Sequence, residues 1–169
     1  YRYRFTGRNN LPETGAYIIC ANHQSFADPV LLGIGQKRTI RYMAKEQLFK
    51  HKFLGKLISM LGAFPVMRES HDNAQAFATA DSVLESGGVL GIFPEGTRTK
   101  PGEKMTLQRG AANIAVRCTS DLRIVTIGCS EHLLDKQSKW YDVPPARPFF
   151  TVEVHGRVEI NKFYDATSQ

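Results

Sequence analysis

The sequence predicts an α/β fold, a single domain with a mixed, mostly parallel central sheet flanked by helices. Two observations predict the architecture, and a third predicts where its chemistry sits. Short apolar runs of strand length recur along the chain, as at residues 16–21, 89–93 and 122–129. Helical patterns are interleaved with them, which is the order of elements that builds a parallel or mixed sheet. A polar cluster, Asn22-His23-Gln24-Ser25-Phe26-Ala27-Asp28, directly follows the first of these runs, and ligands of α/β folds bind at such strand-to-helix corners.

Taken in order, residues 1–8 alternate aromatic and basic side chains, as an exposed or edge strand does, and residues 9–15 carry the Asn, Pro and Gly of a turn. Residues 16–21 are a buried strand. Pro29 stands where a helix can begin, so residues 29–36 are expected as a short helix. Residues 39–44 follow as a strand. Over 46–61, Phe49, Phe53, Leu54, Leu57, Ile58 and Leu61 recur at three- and four-residue steps, the mark of one amphipathic helix. Gly62 ends it, and 63–67 is a short strand running into Arg68. A second helical pattern covers 70–86, with Ser70 as its cap and Gly87-Gly88 as its stop. Residues 89–93 are a buried strand, Pro101-Gly102 a loop, 109–119 a helix of small residues and 122–129 another buried strand. Residues 136–148 are a polar, proline-containing excursion with the single tryptophan, Trp140. Residues 149–160 alternate well enough for a last strand or a bent pair.

A chain of 169 residues, 42% hydrophobic, can bury a core without staples. The three cysteines, Cys20, Cys118 and Cys129, have no metal-ligand spacing and read as small apolar residues of a reducing compartment. The net charge of +6 favours an anionic partner: nucleic acid, a phospholipid surface or a phosphorylated small molecule. Nucleic acid is disfavoured because the aromatic residues are not clustered with the basic ones as a stacking platform requires. No stretch reaches the ~18 apolar residues that span a bilayer, and no signal peptide opens the chain. The chain begins without methionine on a strand-like stretch, so a fragment lacking an N-terminal membrane-associated segment is the expectation.

Three constellations can carry chemistry. In the first, the His23 ring can take a proton near neutral pH, and Asp28, five residues on across a turn, can accept a hydrogen bond from one ring nitrogen. That pairing fixes the tautomer and leaves the other nitrogen free as a base; a surface histidine beside a helix-capping aspartate is the plainer alternative. Ser25 would complete a hydrolase set, but no Gly-x-Ser-x-Gly elbow presents a serine, so a helix cap or local hydrogen-bond donor is the better reading. The histidines show no zinc-ligand spacing, so no metal is expected. The second constellation, Phe93-Pro94-Glu95-Gly96-Thr97-Arg98, follows a buried strand, and Arg98 offers a planar fork suited to phosphate. The third ends on Arg68; Lys104 and Arg109 are further basic candidates, Arg109 lying just before a helix start.

The first constellation resembles the opening block of the glycerolipid acyltransferase family, Asn-His-x-Ser-x-x-Asp, and the second matches that family's Phe-Pro-Glu-Gly-Thr-Arg block throughout. Residues 62–68 resemble its intermediate block, and Gln108-Arg109-Gly110-Ala111 the basic stretch that commonly follows. At 124–127, Thr126 stands where the family's fourth block has proline. The resemblance covers roughly residues 1–130 and makes 1–169 one acyltransferase domain. It implies an O-acyltransferase that moves a fatty acyl group from a thioester, acyl-CoA or acyl-carrier protein, to a lysophospholipid hydroxyl. The acceptor it implies first is 1-acylglycerol 3-phosphate, giving phosphatidic acid; glycerol 3-phosphate, another lysolipid, or a lipase-type hydrolysis by the same His–Asp pair are alternatives. By the same resemblance His23 and Asp28 are catalytic, and Arg68, Glu95, Gly96, Thr97 and Arg98 bind the acceptor. Asn22, Ser25, Lys104 and Arg109 are additional candidates, and no bound cofactor is needed. The basic stretch 37–56, with seven Lys or Arg against Glu46, then suits an anionic membrane surface, peripheral or anchored on the cytoplasmic side. Its apolar stripe is otherwise simply core.

Overall fold

A computed structural model describes residues 2–66, 74–100, 102–136, 138–139 and 141–161. Seven strands form one sheet among these residues: β1 (Arg2–Thr6), β2 (Tyr17–Ala21), β3 (Ile40–Lys45), β4 (Phe64–Val66), β5 (Val89–Ile92), β6 (Leu122–Cys129) and β7 (Phe149–Val158). Their spatial order is β1-β7-β6-β2-β5-β3-β4. β2 lies between β5 and β6 and is parallel to both; β3 is parallel to β5 and to β4. β7 runs antiparallel to β6, and β1 runs with β7. The sheet is therefore mixed and mostly parallel, as expected. Residues 149–160 resolve into one strand rather than a bent pair, with a register shift on β6 between Arg123 and Val125.

The helices are α1 (Asp28–Ile34), α2 (Glu46–Phe49), α3 (Lys52–Met60), α4 (Ala74–Glu85) and α5 (Gly110–Arg117). They cover both faces because the side chains of a strand alternate. Tyr17, Ile19 and Ala21 of β2 share one core with Leu31 and Leu32 of α1. Ile18 and Cys20 face the other, with Ala80 and Leu84 of α4 and Ile114 and Ala115 of α5. All five β2 residues are buried, as a strand covered on both faces must be.

Two sequence expectations are corrected. Residues 46–61 are not one helix: the chain leaves helical geometry at His51 (φ −81°, ψ 109°), and α3 starts anew at Lys52, close against the end of α2. Gly55 makes this contact possible, since a Cβ there would stand 2.6 Å from the Phe49 carbonyl oxygen. Pro29 is the second residue of its helix, after Asp28. The expected Ser70 cap, Arg68 and Trp140 lie outside the described residues.

Gly91 of β5 is a site of close approach. A Cβ there would lie 2.6 Å from both Ile40 Cγ2 and Tyr42 Cδ1. Gly91→Ala is expected to lower stability by about 1–3 kcal/mol, the usual cost of overpacking, whereas Gly156→Ala, with open space around it, should stay within about 0.5 kcal/mol. Urea unfolding of the two variants reads the difference.

Candidate active site

The site is built where two adjacent parallel strands end. β2 and β5 are paired in register, Cys20 beside Ile92, so the segments that follow them leave the sheet side by side. Residues 22–28 follow β2 and residues 93–99 follow β5.

Asp28 organises the first segment. It is only 2% exposed, and one carboxylate oxygen, Oδ2, accepts three N–H groups: His23 Nδ1 at 3.0 Å, the Gln24 amide at 2.7 Å and the Ser25 amide at 2.8 Å. A buried carboxylate is costly unless it is hydrogen-bonded, and here the donors wrap it in a tight turn. An ionised carboxylate accepts only, so the shared proton sits on Nδ1 and Nε2 keeps the lone pair. The ring is held from the side as well. It stacks on Phe93 with centroids 4.3 Å apart, and Phe93 in turn stacks on Tyr42 at 6.1 Å.

The second segment grips the backbone of the first. Glu95 is buried, and its Oε1 accepts the His23 amide at 2.8 Å. Thr99 donates its amide to the His23 carbonyl at 2.7 Å and its hydroxyl to Glu95 Oε2. His23 is thus held through its ring, its N–H and its C=O. The turn that allows this needs a glycine: Gly96 has φ 71°, with its amide bonded to Phe93 O at 2.9 Å.

The other sequence-predicted residues fall into place around this centre. Asn22 extends the sheet beyond β2 with its side chain, donating to Ile127 O at 2.8 Å and accepting the Ile127 amide at 2.6 Å. Ser25 is buried; its hydroxyl donates to Leu133 O at 2.8 Å and accepts the Ala27 amide at 3.1 Å, so it is a local hydrogen-bonding group committed to backbone. Thr97 is exposed. Arg98 Nη1 donates to the carbonyls of Leu134 (2.7 Å) and Asp135 (2.6 Å), and the guanidinium lies 3.7 Å over the Phe26 ring. Burial lowers its pKa, while the Asp135 and Asp28 carboxylates oppose that shift. Lys104 and Arg109 are exposed. The Gln108 amide bonds Pro94 O at 2.7 Å, which brings Arg109 and the start of α5 to the same end of β5.

Sequence reasoning missed two contributors. Phe93 and Tyr42 form the platform under the His23 ring, and the β2–β5–β3 neighbourhood that assembles it is not written in any one stretch. The segment 133–135 carries no motif, yet its carbonyls hold Ser25 and Arg98. A covalent thiol route is not built here: burial pushes Cys20 up to about 12, so at neutral pH it is no thiolate nucleophile. A separate cleft lined by Asp81, Glu85, Arg117, Cys118 and Asp121 opens at the amino end of the strands, away from every motif residue.

Residues 2–130 match the family model described as Acyltransferase. A 1-acyl-sn-glycerol-3-phosphate acyltransferase of Bacillus subtilis is 38% identical over 109 residues, 64% of this chain and 53% of that protein. One of Borreliella burgdorferi is 29% identical over 123 residues, 72% of this chain and 49% of that protein. The chain thus spans about half the length of these curated relatives. The crystal structure of the 1-acyl-sn-glycerophosphate (LPA) acyltransferase PlsC from Thermotoga maritima superposes with a TM-score of 0.68 at 24% identity, covering 95% of this chain and 62% of that one. At that identity it shows the fold.

Asn22→Ala removes both bonds to Ile127 and leaves its buried-edge backbone groups unpaired. A loss of about 1–3 kcal/mol is expected, read as a lower urea midpoint with an unchanged m-value.

Proposed function

The chain belongs to the Acyltransferase family, and from that premise we propose that it transfers a fatty acyl group from acyl-CoA or acyl-carrier protein to the free hydroxyl of a lysophospholipid. The names of its relatives favour 1-acylglycerol 3-phosphate as acceptor and phosphatidic acid as product. The observation that carries the reading is the His23 ring, whose Nδ1 lies 3.0 Å from Oδ2 of the buried Asp28, so that Asp28 can orient the ring as a base through Nε2.

His23 Nε2 takes the proton of the acceptor hydroxyl. The oxygen attacks the thioester carbonyl, a C–O bond forms as the C–S bond breaks, and the thiolate leaves with the proton that His23 then returns. A thiolate is a good enough leaving group that no covalent enzyme intermediate and no bound cofactor is required. A positioned base of this kind contributes about 10²–10⁴-fold, and aligning the two substrates supplies much of the rest. Asp28 orients the base. Arg98, with Thr97 and Arg68, receives the acceptor's phosphate; Glu95 and Gly96 shape the turn that holds the His23 backbone. Lys104 and Arg109 add positive charge at the same end. Lipase-type hydrolysis is the weaker reading, since the Ser25 hydroxyl is bonded to Leu133 O and the Ala27 amide.

The reaction takes place at an anionic membrane surface, the protein being peripheral or anchored on the cytoplasmic side where the thioester donor is available. No helix among the described residues is long and apolar enough to cross a membrane. What supports surface binding is the stripe of α3. Phe53 is 85% and Met60 77% exposed, and Leu57 and Leu61 are exposed beside them. Lys50, Lys52 and Lys56 flank this face. An apolar face edged with lysines fits the headgroup region of an anionic bilayer. α2 and α3 follow the carboxyl end of β3, the same end of the sheet as His23.

Labelled acyl-CoA and acyl-carrier protein incubated with a panel of lysolipids identify the donor and acceptor. His23→Ala is expected to lower transfer at least about 10²-fold while the variant still unfolds cooperatively, at a lower midpoint because Asp28 loses one of its donors; wild-type rates in that variant would remove His23 as the base. Phe53→Ser with Met60→Ser should weaken sedimentation with anionic vesicles roughly tenfold or more, each side chain being worth about 1.5–3 kcal/mol of burial. Transfer to a short-chain, monomeric acceptor should be unaffected.

A further inference from the structure

Beyond the matched family region, residues 131–136 form a turn whose carbonyls reach back to the site. Leu133 O accepts the Ser25 hydroxyl at 2.8 Å. Leu134 O accepts both the Phe26 amide at 3.1 Å and Arg98 Nη1 at 2.7 Å. Asp135 O accepts the same Nη1 at 2.6 Å. Three consecutive carbonyls thus tie the segment after β2 to the segment after β5, at the two points flanking His23 and Arg98.

Carbonyls can do this only if the turn is held in shape, and its shape is unusual. Leu134 has φ 53°, the left-handed region that a branched side chain rarely adopts. The next residue holds it there. Asp135 is 6% exposed. Its Oδ1 accepts the Ser138 amide (2.8 Å) and hydroxyl (3.0 Å), and its own amide donates to Ser138 Oγ at 2.9 Å. Its Oδ2 meets His132 Nδ1 at 2.8 Å. The turn is closed on both sides by this one carboxylate. The same charge also opposes the desolvation of Arg98.

We propose that Asp135 is a positioning residue for acyl transfer: through His132 and Ser138 it clamps the 131–136 turn so that the carbonyls of residues 133–135 fix the His23–Asp28 corner and Arg98 relative to each other. The inference rests on the acyl-transfer reading above. It explains how a guanidinium destined for a phosphate is held still through Nη1.

The test compares Asp135→Ala, Asp135→Asn and the neighbouring Asp142→Ala in the full chain. Among the described residues, the Asp142 carboxylate accepts the Lys139 amide within its own turn, and it serves as the control. In Asp135→Ala, kcat/KM should fall about 10–100-fold, as small misplacements of catalytic groups do. Part of the fall should be a rise of at least about threefold in KM for the phosphate-bearing acceptor. A partly unfolded enzyme loses kcat and keeps its KM, so the KM change separates positioning from mere stability. Asp135→Asn retains an acceptor for Ser138 and should recover most of the loss; Asp142→Ala should match wild type. Amide hydrogen exchange supplies a readout independent of turnover: protection of the Phe26 amide should drop in Asp135→Ala and persist in Asp142→Ala. Wild-type KM together with wild-type Phe26 protection in Asp135→Ala would overturn the proposal. If the wild-type chain transfers no acyl group, the functional reading fails, and the exchange experiment still decides whether the clamp exists.

Discussion

The structure depends on one buried carboxylate. Asp28 Oδ2 collects the His23 ring N–H and the Gln24 and Ser25 amides. In water each of these donors would be satisfied separately. In the interior a charge without them would be prohibitive, and the turn without the charge would leave amides unpaired. The carboxylate and the turn therefore require each other. The imidazole tautomer follows from the same bonds, since the third donor is the ring itself.

That turn is useful only because the sheet places a second one against it. β2 and β5 are parallel neighbours ending at the same level, so the residues after β5 reach the backbone of the residues after β2. Glu95 and Thr99 bond the N–H and C=O of His23, and Phe93 supports its ring. Asn22 performs the matching task towards β6. A histidine held at ring, amide and carbonyl has little rotational freedom left to lose on the way to a transition state, which is the physical content of preorganisation.

Much of this was legible in the sequence, and the exceptions have physical causes. The end of β2 at Ala21 was visible because its apolar run stops where polar residues begin; β5 ends one residue before the expected Phe93, which continues the apolar run past the last strand residue. The His23–Asp28 pair was visible because its partners are five residues apart. The break at His51 was hidden because the apolar spacing continues through it, and the close approach of Gly55 to the Phe49 carbonyl leaves no trace in periodicity. Whether the α3 stripe is core or surface was equally hidden, since a stripe looks the same against protein or lipid. Least legible was the 131–136 turn, whose bonds to Ser25 and Arg98 are made by main-chain carbonyls 36 to 108 residues away. Carbonyls are common to every residue, so no side-chain pattern marks them.

The central claim is that Asp28 fixes the His23 imidazole with its proton on Nδ1 and Nε2 free to act as base. Long-range 15N–1H correlation of the His23 ring in the resting protein tests it directly, with the signals assigned by their loss in a His23 variant. The account predicts a neutral ring in one tautomer, Nδ1 protonated and Nε2 bearing the lone pair, collapsing to a tautomeric mixture in Asp28→Ala. A ring protonated on Nε2 in the resting protein, or one averaging freely between tautomers despite an intact Asp28, would contradict it.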